Sequence, residues 1–179
     1  MWILETERLA LRQLTMNDVD SMLPIFSDPE AMRFYPAPFT RTQVEGWIQW
    51  GLDSYAKNGF GLWAVVRKQD QLFLGDCGLV LQPVEERTEL EIGYHILRRE
   101  WGRGYATEAA RACRDYAFST LNYPRVVSIV NPLNIASRRV AAKVHTTMRE
   151  FTWVKNQKVM CLYSTDREPA VERRSSIRE

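Results

Sequence analysis

Residues 89–118 read ELEIGYHILRREWGRGYATEAARACRDYAF, and this stretch decides the fold: an apolar strand enters a glycine turn and leaves it as an amphipathic helix. Gly102 and Gly104 let the backbone approach an anion without a Cβ in the way. The first N–H groups of the helix have no partner inside it and face that anion with the positive end of the dipole. The expected ligand therefore carries a pyrophosphate, held by the amides of Gly102, Arg103, Gly104, Tyr105, Ala106 and Thr107. Arg103 or Arg99 adds charge nearby.

Two better-known phosphate loops do not fit. A Walker loop needs Gly-x-x-x-x-Gly-Lys-Ser/Thr, which the chain lacks, and a dinucleotide-binding turn needs a third glycine where Thr107 stands. The following strand also ends in Asn131 rather than in an acidic residue for a ribose.

The pattern Gln/Arg-x-x-Gly-x-Gly/Ala does fit, in two registers: Arg99 to Gly104 satisfies it literally, and Trp101 to Ala106 matches the wording WGRGYATEA. This resembles motif A of the GNAT superfamily of acyl-CoA-dependent N-acetyltransferases, and the second register is preferred. The resemblance continues in order through ETERLALRQLTMND, FGLWAVV, FLGDCGLV, EIGYHI and NIASRRVAAKV. Together these look like the branch containing ribosomal-protein N-terminal (alanine) acetyltransferases.

Composition bounds the answer. At 179 residues and 45% apolar content the chain is long enough for one domain with a full core. Its 24 basic and 22 acidic side chains leave a charge of +2, which offers no footprint for nucleic acid. Cys77, Cys113 and Cys161 are odd in number and scattered, against a disulfide framework and against a zinc site; core positions in a reducing cytoplasm are expected. Glu5 leaves no room for a signal h-region, and no apolar run approaches the roughly 20 residues of a membrane span.

Along the chain, LALRQLT reads as a first strand stopping at a cap site around Thr15 to Asp18. Val19, Met22, Leu23 and Phe26 then form a helical stripe. The box Thr42-x-x-Glu45 opens a second helix with a face of Val44, Trp47, Ile48, Leu52 and Tyr55, closed by Asn58-Gly59. LWAVV and LFLGDCGLV read as a hairpin. Glu89 to Leu97 is the central strand, Thr107 to about Leu121 its helix, and RVVSIV the next, parallel strand. A helix over Asn134 to Val144 and an antiparallel pair, TMREFTWV with KVMCLYS, complete a domain over 1–166. A polar extension over 167–179 follows.

The resemblance implies that the central strand splays from its parallel neighbour, freeing amides near Tyr94, His95, Ile96 and Leu97 to pair with pantetheine. Ile96 is the best single candidate, and one such N–H would also serve as an oxyanion hole. Asn134 and Ser137 are good capping types; in the family, Asn134 would hold pantetheine and Ser137 would protonate the leaving thiolate. Arg138, Arg139 and Lys143 either reach the coenzyme phosphates or form a solvated face. An ammonium must lose a proton before attacking. Glu91 alternates with Gly93 and His95 on one strand face, so Glu91 is the candidate base, directly or through water; Glu89 and His95 are lesser candidates, and His95 reads as a hydrogen-bonded wall residue. One departure stands out: the family's Lys-Leu-Gly-Phe is Lys143-Val144-His145-Thr146 here.

The resulting expectation is an α+β domain with a mixed, V-splayed sheet of about six to seven strands and about four helices. It would move acetyl from acetyl-CoA to a primary amine by direct attack in a ternary complex, without a metal. The acceptor is a peptide N-terminus or a small molecule such as a polyamine or an amine antibiotic. From another class, a silent acyl-CoA-binding sensor would need neither Glu91 nor Ser137. Oligomeric state, monomer or homodimer, stays open.

Overall fold

The computed structural model describes residues 1–168. Eight strands make one sheet: β1 Leu4–Glu5, β2 Leu9–Gln13, β3 Leu62–Arg67, β4 Phe73–Val84, β5 Arg87–Ile96, β6 Arg125–Val130, β7 Thr147–Trp153 and β8 Lys158–Asp166, in the order β1-β2-β3-β4-β5-β6-β8-β7. The only parallel neighbours among them are β5 and β6. The expected six to seven strands become eight because Leu4 and Glu5 pair with Leu11 and Ala10, a two-residue strand too short to carry a periodic signal.

Four helices flank the sheet: α1 Val19–Phe26, α2 Arg41–Asn58, α3 Tyr105–Ser119 and α4 Ile135–Val144. Val19, Met22 and Phe26 of α1 are buried with Val44 and Ile48 of α2 against Ala64 of β3. The opposite face packs Leu9, Leu11, Trp63, Val65, Leu79 and Ile92 against Ala109, Ala110, Cys113 and Ala117 of α3. Alternation along the strands thus feeds two cores, one per face. All three cysteines are free and buried, as core residues; Cys77 and Cys113 lie 3.7 Å apart, and burial, with Cys113 beside it, pushes the Cys77 thiol up.

Element ends differ in instructive ways. The cap of α2 is Thr40, not Thr42: its backbone N–H donates to Gln43 Oε1 at 2.8 Å, and its hydroxyl accepts from Gln43 N–H at 3.4 Å. Both threonines are followed three residues later by a suitable partner. The earlier one prevails because Phe39, just before it, stacks on Phe26 at 5.2 Å and fixes where the chain enters. Gly59, at φ +78°, ends α2 as expected. The helix α3 starts at Tyr105, two residues before the expected Thr107, with Gly104 in the left-handed region at its cap. Beyond β8, Arg167 N–H still donates to Pro124 O at 2.8 Å; the extension expected over 167–179 otherwise lies largely outside the described residues.

Candidate active site: a wedge between two parallel strands

The ladder between β5 and β6 holds a single register pair, Glu91 with Val127. Had it continued, Ile129 N–H would have met Ile92 C=O. Each group is instead met by a side chain from the other strand. Glu91 Oε1 accepts from Ile129 N–H at 3.2 Å, and the Ser128 hydroxyl donates to Ile92 O at 2.9 Å. The strands part beyond this vertex, so the V-shaped opening expected from the resemblance has a physical stop.

The stop is braced from behind. Ser128 donates its proton to Ile92, so it accepts from His145 Nε2–H at 3.0 Å, and His145 Nδ1 accepts from the Thr165 hydroxyl at 3.4 Å. His145 ends α4 in extended backbone, φ −109° and ψ 159°, so the missing glycine is answered by redirecting the turn and burying the imidazole. Burial, with Arg114 and Arg125 nearby, lowers the His145 pKa to about 4, which keeps the ring neutral.

Along β5, backbone groups alternate between the two neighbours. Leu97 N–H donates to Leu74 O of the β4 side at 2.7 Å, and the unbroken β4–β5 register directs the amides of His95 and Gly93 the same way. Tyr94 and Ile96 therefore point their N–H groups into the wedge. This corrects the expected set: the Leu97 amide is already bonded, and the His95 amide faces β4.

Where β5 ends, the Trp101 indole N–H donates to Ile96 O at 2.6 Å and folds the loop back. Gly102 and Gly104 adopt φ +76° and +84°. A Cβ on Gly102 would meet nothing within 4 Å, and one on Gly104 would meet only an Arg8 nitrogen at 3.4 Å. Backbone conformation, rather than crowding by the protein, therefore selects glycine at both positions. The first helical bond runs from Glu108 N–H to Gly104 O, so among the described residues the N–H groups from Gly102 to Thr107 have no protein acceptor. Glu108 anchors this turn, accepting from Arg8 and, at 2.5 Å, from the Thr6 hydroxyl. Arg103 lies 3.4 Å from buried Glu100 and remains largely exposed.

On α4, Asn134 Oδ1 accepts from Ser137 N–H at 3.1 Å, so Asn134 is the cap, while Tyr94 OH donates to Ser137 O at 3.0 Å. Helix α4 is thereby tied to the wedge strand with the Ser137 hydroxyl left over. Arg138 is engaged by Tyr163 OH and Pro132 O, which removes it from the phosphate candidates. Arg139 and Lys143 are exposed.

The strand face carrying Glu91, Gly93 and His95 looks toward α1 and α2. Burial pushes Glu91 up to about 7, although Gln82, Ile129 N–H, Lys155 and His95 pull the other way. His95 is more than a wall. Its Nδ1 lies 2.8 Å from Asp76 Oδ1, the other Asp76 oxygen accepts from Trp47 Nε1–H at 2.9 Å, and its Nε2 lies 2.7 Å from Tyr35 OH. Phe26 packs on the ring at 4.8 Å between centroids. Asp76 and Trp47 escaped the sequence reading as site residues, while Tyr35 lies in FYPAPF, a stretch that the sequence reading places at the border of the acceptor pocket. The one usable signal was Asp76 itself, an acid inside the apolar run LFLGDCGLV, since a buried carboxylate demands partners.

A sheet opened at one parallel pair thus lies beside a glycine loop whose six amides are free among the described residues. The acetyltransferase (GNAT) domain profile matches residues 8–147, and the chain belongs to that family. The uncharacterized protein YkkB of Bacillus subtilis is 39% identical over 142 residues, covering 79% of this chain and 83% of that protein. An acetyltransferase from Agrobacterium tumefaciens has a similar structure, with a TM-score of 0.80 and 29% identity, covering 92% of this chain and 94% of that one. A ribosomal L7/L12 alpha-N-protein acetyltransferase, RimL, solved in complex with coenzyme A, shares the fold at 14% identity and a TM-score of 0.73, covering 93% and 98%. The protein is thus a GNAT acetyltransferase, a fold that uses acetyl-CoA. Among the described residues no helix is long and apolar enough to cross a membrane, and no cluster of His, Cys, Asp or Glu is suited to a metal.

Proposed function

We propose that this protein transfers acetyl from acetyl-CoA to a primary amine by direct attack, with a protein or peptide N-terminus as the first acceptor class and small amines as the second. One observation supports the coenzyme half: the β5–β6 ladder stops after Glu91 and Val127 next to amides that have no acceptor among the described residues. Six N–H groups at Gly102 to Thr107 suit a pyrophosphate, with the helix dipole of α3 adding about 0.3–1 kcal/mol. The Tyr94 and Ile96 amides suit the amide groups of pantetheine, pairing as a further strand would. We assign Asn134 to pantetheine as well, through the side-chain N–H groups that capping leaves free, since its Oδ1 accepts from Ser137 N–H. When bound, acetyl-CoA supplies the activated acyl group; the protein positions it, polarises the carbonyl with an N–H and handles protons.

Glu91 takes a proton from the attacking nitrogen, directly or through water. A carboxylate with a pKa of about 7 accepts a proton near neutral pH far better than an ordinary one. Ser137, whose hydroxyl has no partner among the described residues, delivers a proton to the departing thiolate. The free, buried cysteines suit a reducing compartment, and we place the enzyme in the cytoplasm.

The test is an acetyl-CoA turnover screen against N-terminal peptides, polyamines and amine antibiotics, with calorimetry on acetyl-CoA alone. Binding with turnover on one class supports the reading and names the acceptor. Binding without turnover on any class makes the protein an acyl-CoA sensor, and absence of binding overturns the site.

A further inference from the structure

Two protons must leave the acceptor nitrogen in this reaction. The ammonium loses one before attack, and the adduct loses a second as the carbon–sulfur bond breaks. Only one of them is matched by the thiolate, which becomes a thiol. Glu91, enclosed at the vertex and bonded to Ile129 N–H, is one acceptor. His95, two positions beyond Gly93 on the same face, is a second group built for that task.

Its surroundings fix its tautomer. The Asp76 carboxylate accepts from Trp47 on one oxygen, and the other accepts from His95 Nδ1–H. Nε2 is then left with a lone pair, toward which Tyr35 donates its hydroxyl at 2.7 Å. Asp76 is fully buried, whereas Tyr35 sits at the surface with 37% of its area exposed. The chain therefore runs from solvent inward as phenol, imidazole, carboxylate, the geometry of an oriented base. Titratable neighbours are few: Asp76 from β4, Tyr35 from the α1–α2 connection and Glu91 from β5, while α1 and α2 contribute the apolar or neutral rings of Phe26 and Trp47. Desolvation and the charges of Asp76 and Glu91 push the Tyr35 phenol up, so it passes a proton on without resting as phenolate.

We propose that the Tyr35–His95–Asp76 chain removes the first proton from the acceptor ammonium. Resting on the transfer reading above, this assigns the acceptor's entry to the face of Tyr35. The ammonium gives its proton to the Tyr35 oxygen as the phenol hands its own to His95 Nε2. The imidazolium is held by Asp76, and the neutral amine attacks the thioester carbon. The second nitrogen proton passes to Glu91, the thiolate is protonated from Ser137, Glu91 returns its proton through water to the Ser137 oxygen, and His95 returns its proton to solvent. The sum is ammonium plus acetyl-CoA giving amide, free coenzyme A thiol and one proton.

The experiment compares wild type with His95→Gln, Asp76→Asn and Tyr35→Phe on two probes of one shape, benzylamine, protonated at pH 7, and benzylhydroxylamine, neutral there. Expected for His95→Gln is a loss of about 10²–10³ in turnover with benzylamine and under about threefold with benzylhydroxylamine. The benzylamine loss should shrink as pH rises. Equal losses on both probes would assign the triad to structure alone and overturn the proposal. Independently of any acceptor, 15N NMR of the acetyl-CoA complex should show His95 protonated at Nδ1 and bare at Nε2; an Nε2–H tautomer overturns it as well. Acetyl-CoA binding by these variants separates the two readings, since failure of the wild type to bind or transfer strikes the proposed function and not the relay.

Discussion

The two halves of the wedge are built from different materials. On the side we assign to the coenzyme, the proposed working groups are main-chain N–H groups of one continuous segment, Tyr94 to Thr107, and side chains serve mainly as braces. On the side we assign to the acceptor they are side chains from four separate places: Tyr35 after α1, Trp47 on α2, Asp76 on β4, and Glu91 with His95 on β5. A backbone site demands only a conformation, which glycine grants. A side-chain site demands that distant elements arrive together. Substitutions on the two sides should therefore fail in different ways, through affinity on one and through turnover on the other.

The largest effect expected is on the acceptor side. Glu91→Gln should keep the bond from Ile129 N–H and the shape of the vertex, yet lower turnover by about 10²–10⁴, and by similar factors on benzylamine and benzylhydroxylamine, since the adduct must lose its second proton with either acceptor. Stability supplies a second reading. The folded pKa of Glu91, about 7, lies above its ordinary 4.5, so its contribution is complete below 4.5 and is lost as pH rises through 7. Thermal melts from pH 5 to pH 8 should show wild type losing ground to the Gln variant; parallel curves would remove the burial argument.

Ser137→Ala comes next, with turnover falling by up to about 10², the low end of proton-transfer effects, and acetyl-CoA affinity nearly unchanged. Since Asn134 is the cap, the stability loss of about 1 kcal/mol belongs to Asn134→Ala instead. A Ser137→Ala protein that melts early but turns over normally would reverse these roles.

On the coenzyme side, Gly104→Val places a β-branched residue at φ +84°. Holding valine in the left-handed region costs about 1–2 kcal/mol, and leaving that region turns the loop amides aside. Acetyl-CoA affinity should drop about 5–30-fold by calorimetry, with the fold intact by circular dichroism. Undiminished affinity in the folded variant would take the loop out of the binding site.

The smallest effect concerns the brace. The pKa of His145 is lowered from 6.5 to about 4, so the stability it contributes is complete above 6.5 and is lost as pH falls through 4. His145→Gln should flatten the acid limb of a denaturation profile over that window. An unchanged limb would place the acid sensitivity elsewhere.

The same contrast explains what could be read from sequence. The strand, glycine turn and helix of residues 89–118 are local, so their order and chemistry were legible, as was the apolar stripe of α1. The parallel opening entered by resemblance, and its stop was hidden, because Ser128, His145 and Thr165 converge from three elements and His145 showed only as a departure from the family's Lys-Leu-Gly-Phe. Glu91 was found by alternation from Gly93 and His95, a period-two argument. Tyr35 and Asp76 meet His95 across separations of 60 and 19 residues, which no local pattern encodes. The displaced cap at Thr40 shows the limit of spacing rules where two boxes overlap: packing of Phe39 on Phe26 decides.

A strand bonded on one edge and bare on the other should record that division in its hydrogen exchange. Gly93, His95 and Leu97 have amides turned to β4, and the Leu97 amide is bonded to Leu74 O, so these protons should exchange slowly; Tyr94 and Ile96, between them, should exchange quickly. The slow and fast positions would alternate residue by residue from Gly93 onward and merge toward Leu90 and Ile92, where the parallel pairing holds. The vertex held by Glu91 and Ser128 would thus appear, without any ligand, as the residue at which protection changes from continuous to every second amide.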